Sequence, residues 1–181
     1  MNRLNDAYFT PAALQVARGA TDPSNDGWPE PNGGIIAPKR VHLAIRNKYY
    51  RFASSSRPRS EQLYGGWWIE FEVLKKIARF AKEHSDPRHA VRYFLALPWS
   101  WSACDKLVSG FLTMPMDAYR GEGKPVKTAP EGHARDGGTN YIPPQNSKEL
   151  YQLYIPGMRQ VGAQAFAHLA TEDIWRNENF R

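Results

Sequence analysis

Residues 48–72 run KYYRFASSSRPRSEQLYGGWWIEFE, and no other stretch limits the fold of this chain so tightly. Tyr49, Tyr50 and Phe52 favour a strand. Ser54-Ser55-Ser56-Arg57-Pro58 must end it, because the residue before a proline is pushed to extended geometry and helical continuation is blocked. A polar turn leads to Gly65-Gly66, after which Trp67, Trp68, Ile69 and Glu70 form a second short strand candidate. Arg51 is therefore expected near a strand end, beside a loop rich in N–H and hydroxyl donors. Such a setting suits a phosphate or another anion. The plainer alternative is a strand and serine-rich turn with Arg51 in a surface ion pair.

The order Tyr50-Arg51, Ser54-x-Ser56-Arg57-Pro58 and Gly65-Gly66 resembles the first motif of ADP-ribosyltransferase toxins of the cholera and pertussis type. The resemblance implies an α+β fold, an ADP-ribosyltransferase-like split β-sandwich of two small, mostly antiparallel sheets with flanking helices. It also implies NAD as substrate, held by Arg51 with Tyr50, Phe52, Ser54, Ser55, Ser56, Arg57, Trp67 and Trp68 around it. Trp67 or Tyr154 would stack on nicotinamide. The late segment Gln152-Leu153-Tyr154-Ile155-Pro156-Gly157 is similar to the family's third element, and Gln152 stands where that element carries its catalytic glutamate. Glu149 or Gln152 is expected to face the ribose, with Glu70 as a further carboxylate at the cleft edge. Two departures stand out. Trp68-Ile69-Glu70 replaces the hydroxyl-rich strand of the family, and Glu70-Phe71-Glu72 lies too soon after Arg51 to be its paired-glutamate motif. The resemblance implies a bacterial effector or toxin domain with a protein or nucleic-acid acceptor and an inhibitor or immunity partner. A non-catalytic binding protein on the same scaffold, contacting nucleic acid or an acidic partner, is the competing reading.

The chain has 181 residues and a formal charge of +6, which biases it toward anionic partners without a basic tract to mark a nucleic-acid arm. Six tryptophans and nine tyrosines can fill a core or line a stacking site. The single cysteine, Cys104, cannot form an intrachain disulfide and is expected in the core. His133 and Asp136 have no companions at metal-ligand spacing, so no metal is expected. No apolar run is long enough for a transmembrane helix, and the opening residues lack an apolar signal core. The expected location is cytoplasmic, or a target cell reached without that signal.

Residues 1–40 are expected to form a helix and a Pro/Gly-rich arm, and 41–181 the main domain. Thr10, Pro11 and Gly19 mark the cap, first turn and stop of a short helix. Trp28, in the arm, anchors it to the core or belongs to a lid. Residues 41–45 are a strand candidate. Phe71, Leu74, Ile77, Ala78 and Ala81 share a helical stripe that ends near Pro87. Residues 91–97 are expected as a central strand, 104–110 as a helix, 111–119 as an extended segment kinked at Pro115, and 120–147 as a long loop. Residues 150–156 form the last expected strand and 158–177 the final helix, which carries His168.

Overall fold

A computed structural model describes residues 2–19, 33–127, 140–141 and 150–180. Its helices are α1 (Pro11–Ala17), α2 (Arg59–Tyr64), α3 (Phe71–His84), α4 (Pro87–Leu95) and α5 (Met158–Ala165). Its strands are β1 (Lys39–His42), β2 (Lys48–Ala53), β3 (Trp67–Ile69), β4 (Lys106–Leu112), β5 (Asp117–Glu122), β6 (Val126–Lys127), β7 (Asn140–Tyr141), β8 (Tyr151–Tyr154) and β9 (Phe166–Asp173). The fold is α+β. Seven strands form one antiparallel sheet in the order β1-β5-β8-β3-β2-β4-β9, and β6 pairs with β7 separately.

This continuous sheet replaces the two small sheets expected from the sequence, yet it has a narrow waist. β2 pairs with β4 over six positions, and β3 with β8 over three. Between β2 and β3 the only register pair is Tyr50 with Ile69. A trio of strands, β2, β4 and β9, thus joins the remaining four at one point.

Successive residues of the central strands enter different cores, as a two-residue pleat requires. Tyr50, Phe52, Ile69 and Leu107 pack with α3 and α4. Tyr49, Ala53, Trp68, Val108 and Leu153 pack with α5. On α3 the buried side chains are Val73, Leu74, Ile77, Ala78 and Ala81, a stripe at helical spacing. Phe71 departs from the expected stripe: it is exposed, with its ring 5.9 Å from that of Tyr50. Cys104 lies in the α3–α4 core, where burial pushes its thiol pKa up.

Several local expectations give way to tertiary context. Residues 91–97 are not a central strand: α4 ends at Leu95, begun by Asp86, whose carboxylate accepts from Arg88 N and His89 N, with Pro87 in the first turn. Pro87, Ala90, Val91 and Leu95 then fall on one buried side. Residues 104–110 are not a helix, because β4 lies between β2 and β9 and its backbone is satisfied on both sides. The expected final helix stops at Ala165. From Phe166 burial alternates residue by residue along β9, a period that a helix face does not produce. The segment expected as a turn before Gly65 contains α2. The expected loop from residue 120 begins as strand, since β5 runs to Glu122. Helix α1 matches its expected signals, with Thr10 accepting from Ala13 N.

The boundary expected at residue 40 falls inside β1, whose Lys39 and Arg40 pair with Arg120 and Tyr119. Residues before it are held by polar contacts. Fully buried Asn5 donates to the carbonyls of Asp117 and Pro156 at 2.9 and 3.1 Å, and accepts from Asp117 N at 3.0 Å. Asp117 is buried and meets Arg3 at 3.1 Å, Arg40 at 2.7 Å and His42 Nδ1 at 2.6 Å. Burial raises its carboxyl pKa, but the hydrogen bonds from His42 and Arg40 outweigh it and leave the value below the ordinary one. Among the described residues no helix is long and apolar enough to cross a membrane.

Asn5→Ala leaves the Asp117 N–H and two carbonyls without this partner. It is expected to cost about 2–3 kcal/mol in urea denaturation at neutral pH. The depressed Asp117 value means its ion-pair stabilisation is complete above about pH 4 and is lost as pH falls through the folded-state value. The melting-temperature gap between the wild type and Asp117→Asn should therefore narrow toward pH 3. A gap independent of pH would show that the carboxylate charge does not clasp the N-terminal segment.

Candidate functional site: a cationic cleft at the sheet waist

Beyond the Tyr50–Ile69 pair, β2 and β3 have no further register partners, and a cleft of about 670 Å3 opens there. One wall is the end of β2, from Arg51 to Ser54. The other is Gly65, Gly66 and β3. Leu95, Ala96 and Leu97 at the end of α4 line it too, together with Trp101, Gln152 of β8 and Arg159 of α5.

Arg51 is the central polar group. Its Nη1 donates to the Glu61 carbonyl at 2.9 Å, while its Nε is buried without a hydrogen-bond partner. Its guanidinium carbon is 6.0 Å from the Trp68 ring centre. No carboxylate pairs with it among the described residues. Burial above all, and then the charge of nearby Arg159, lower its pKa to about 10. Among the described residues this arginine has no surface ion pair of the kind the plainer sequence reading expects. Gly65 is required by the closeness of the guanidinium: a Cβ there would lie 1.9 Å from Arg51 Nη2.

Of the other expected site residues, Phe52, Ser54, Arg57, Trp67, Trp68 and Gln152 also line this cleft. Gln152 Nε2 donates to the Leu95 carbonyl at 3.3 Å, which ties β8 to the end of α4. Tyr50 lies in the α3–α4 core. Tyr154 packs against Trp67 at 5.1 Å between ring centres, behind Gly66, and is not a lining residue. Ser55 is drawn away by Asp105, which accepts from both its backbone N–H and its hydroxyl. Ser56 lines an adjoining hollow instead.

Glu70 does not line the cleft. Arg120 holds it, with Nε at 3.1 Å and Nη2 at 3.0 Å from Oε2. Glu72 pairs with Lys75 at 2.7 Å on the exposed side of α3. Glu149, Trp28, His133 and Asp136 lie outside the described residues.

Sequence reading missed Glu61 and Arg159. Glu61 is the acidic residue among the described ones that line the cleft. It sits in the first turn of α2, whose signal was Pro58 followed by the helix formers Arg59, Glu61, Gln62 and Leu63. Arg159 follows Gly157 by two residues, at the start of a helix whose length was overestimated.

Neither a protein-family model nor a curated protein sequence matches this chain. The fold and site define an α+β protein with an arginine-lined cleft between two antiparallel strands. That cleft is chemically suited to an anionic ligand carrying a flat ring: Arg51, Arg57 and Arg159 line it with no carboxylate partner among the described residues, and half-buried Trp67 forms part of its wall.

Gly65→Ala is expected to displace the Arg51 guanidinium and destabilise the protein by about 1–3 kcal/mol in thermal or urea unfolding. Arg51→Met removes a desolvated charge that has no carboxylate partner among the described residues. Its stability should equal or exceed that of the wild type, while binding of inorganic pyrophosphate at the Arg51 cleft is lost. A strongly destabilised Arg51→Met with pyrophosphate binding intact would mean the arginine serves the fold alone.

Proposed function

We propose that the cleft binds NAD and that the protein is an ADP-ribosyltransferase, splitting the nicotinamide–ribose bond and passing ADP-ribose to a macromolecular acceptor. The observation that carries this reading is the half-buried Arg51 guanidinium at the parting of β2 and β3, its Nε shut off from solvent, with no carboxylate partner among the described residues and Gln152 lining the same cleft. These are the two positions that the motif resemblance assigned to one NAD site. The volume of about 670 Å3 lies within the usual range for cofactor pockets.

In this reading Arg51 and Arg159 neutralise the dinucleotide's diphosphate, and Arg51 adds a fork of donors that fits phosphate oxygens. Trp67 offers a ring beside the nicotinamide. Cleavage builds positive charge on the ribose, which a carboxylate stabilises. Gln152 supplies a hydrogen bond without that charge. Glu61 is the described acidic residue at the cleft, and its position makes it the first candidate for the electrostatic role. Glu70, neutralised by Arg120, is a weaker one. The acceptor, and any inhibitor that covers the cleft, belong to the same proposal, as does a role as an effector or toxin.

A second reading rests on Gln152 itself. With a neutral amide where the resembled family carries its catalytic glutamate, the domain binds a nucleotide without turning it over.

Nicotinamide release from NAD by the purified chain separates the two. The transferase reading expects measurable release, its loss in Arg51→Gln, and a fall in Glu61→Gln. A carboxylate at position 152 would supply charge worth up to about 4 kcal/mol at 4 Å and an effective dielectric near 20, so Gln152→Glu should raise the rate at least tenfold. Calorimetric NAD binding with no release in the wild type or in Gln152→Glu would favour the binding module. Absence of NAD binding would sink both.

A further inference from the structure

Next to the main cleft lies a second hollow of about 520 Å3. Ser54, Arg57, Trp101 and Ser102 line both, so the two are contiguous. The second is completed by Ser56, Arg88 and Trp99 among others, and none of the described residues lining it is acidic. Arg88 projects from the first turn of α4, between aromatic rings: its guanidinium carbon is 5.8 Å from the Trp99 ring centre and 5.7 Å from that of Trp175. Its Nε is buried without a hydrogen-bond partner, and no carboxylate pairs with it among the described residues.

The nearby Asp105 carboxylate is occupied by Ser55 N–H and hydroxyl, outside the lining. Asp86 accepts from the backbone of Arg88 and His89. The hydroxyls of Ser54 and Ser56 are 2.8 Å apart, and Ser102 Oγ accepts from Cys104 N at 3.1 Å, which leaves the Ser102 proton to donate elsewhere. Two arginines and a group of serine hydroxyls, with no acid between them, form a donor set for a tetrahedral oxyanion.

We infer that the Arg57–Arg88 hollow is a second phosphate-binding subsite, separate from the one at Arg51 and bridged to it by Arg57. Its assignment to a substrate rests on the transferase reading; its affinity for phosphate does not. The phosphate is either the adenosine-side phosphate of the dinucleotide's diphosphate or a phosphate of the second substrate.

The test is titration of the full chain with inorganic phosphate at low ionic strength, followed by NMR, for the wild type, Arg51→Gln, Arg88→Gln, Arg88→Lys and Arg57→Gln. Two saturable sites are expected. Arg51→Gln should abolish one, and Arg88→Gln should weaken the other at least tenfold, the loss of a charge-assisted hydrogen bond. Arg88→Lys should retain most of the affinity. A single site lost in Arg51→Gln, or a second site indifferent to Arg88→Gln, overturns the inference. If circular dichroism shows Arg88→Gln to be unfolded, exposed Arg57 carries the test, and an unchanged second site in Arg57→Gln overturns it equally. NAD titration then identifies the source. Weaker NAD binding in Arg88→Gln assigns the phosphate to the dinucleotide, and unchanged NAD binding assigns it to the second substrate. If no variant and no wild type binds NAD, the transferase reading fails while two phosphate sites stand.

Discussion

The sheet is held together at its centre by one backbone pair, Tyr50 with Ile69. Antiparallel strands usually keep pairing, because unpaired backbone groups away from water are costly. Here β2 and β3 part after a single pair. Arg51 fills part of the opening, and its Nη1 donates to the Glu61 carbonyl. Gly65 gives it room, since any Cβ there would overlap the guanidinium. The guanidinium thus lies at the opening left where the ladder stops. Both hollows open from this parting, and α4, β8 and α5 each contribute a residue to its walls.

A buried guanidinium without a carboxylate is unfavourable by itself. Burial and the charge of Arg159 both lower its pKa, so the folded chain holds this charge against a cost. Arrival of an anion would offset such a cost, in keeping with the binding role proposed for the cleft. Asp117 shows the opposite arrangement. Its buried carboxylate is surrounded by Arg3, Arg40 and His42, and its contacts secure the N-terminal segment. One ion cluster is saturated and structural; the other is left open at the cleft.

Much of the site was legible because it is local. Tyr49 to Pro58 encodes a strand, its cationic end and its stop within ten residues, and β2 with its serine loop follows that code. The stripe on α3 and the cap of α1 were equally readable, since their signals lie within a few turns of helix. Residues 91–97 and 166–173 were misread for one shared reason. Short apolar runs satisfy helix and strand patterns alike. The choice fell to partners distant in sequence: α3 and the core around Cys104 receive α4, and β4 offers an edge to β9.

The amino-acid order alone thus determined that an arginine lies near the end of a strand beside hydroxyl donors, and that a Gln-Leu-Tyr strand comes late in the chain. Steric and propensity rules act between near neighbours, and they suffice for such statements. Only the tertiary structure decided that these two segments line one cleft, that Arg120 takes Glu70 away from it, and that Glu61 and Arg159 enter it. Those outcomes depend on which strands pair and where pairing stops. Strand pairing is a contest among distant segments for the same backbone groups, and no local rule resolves it.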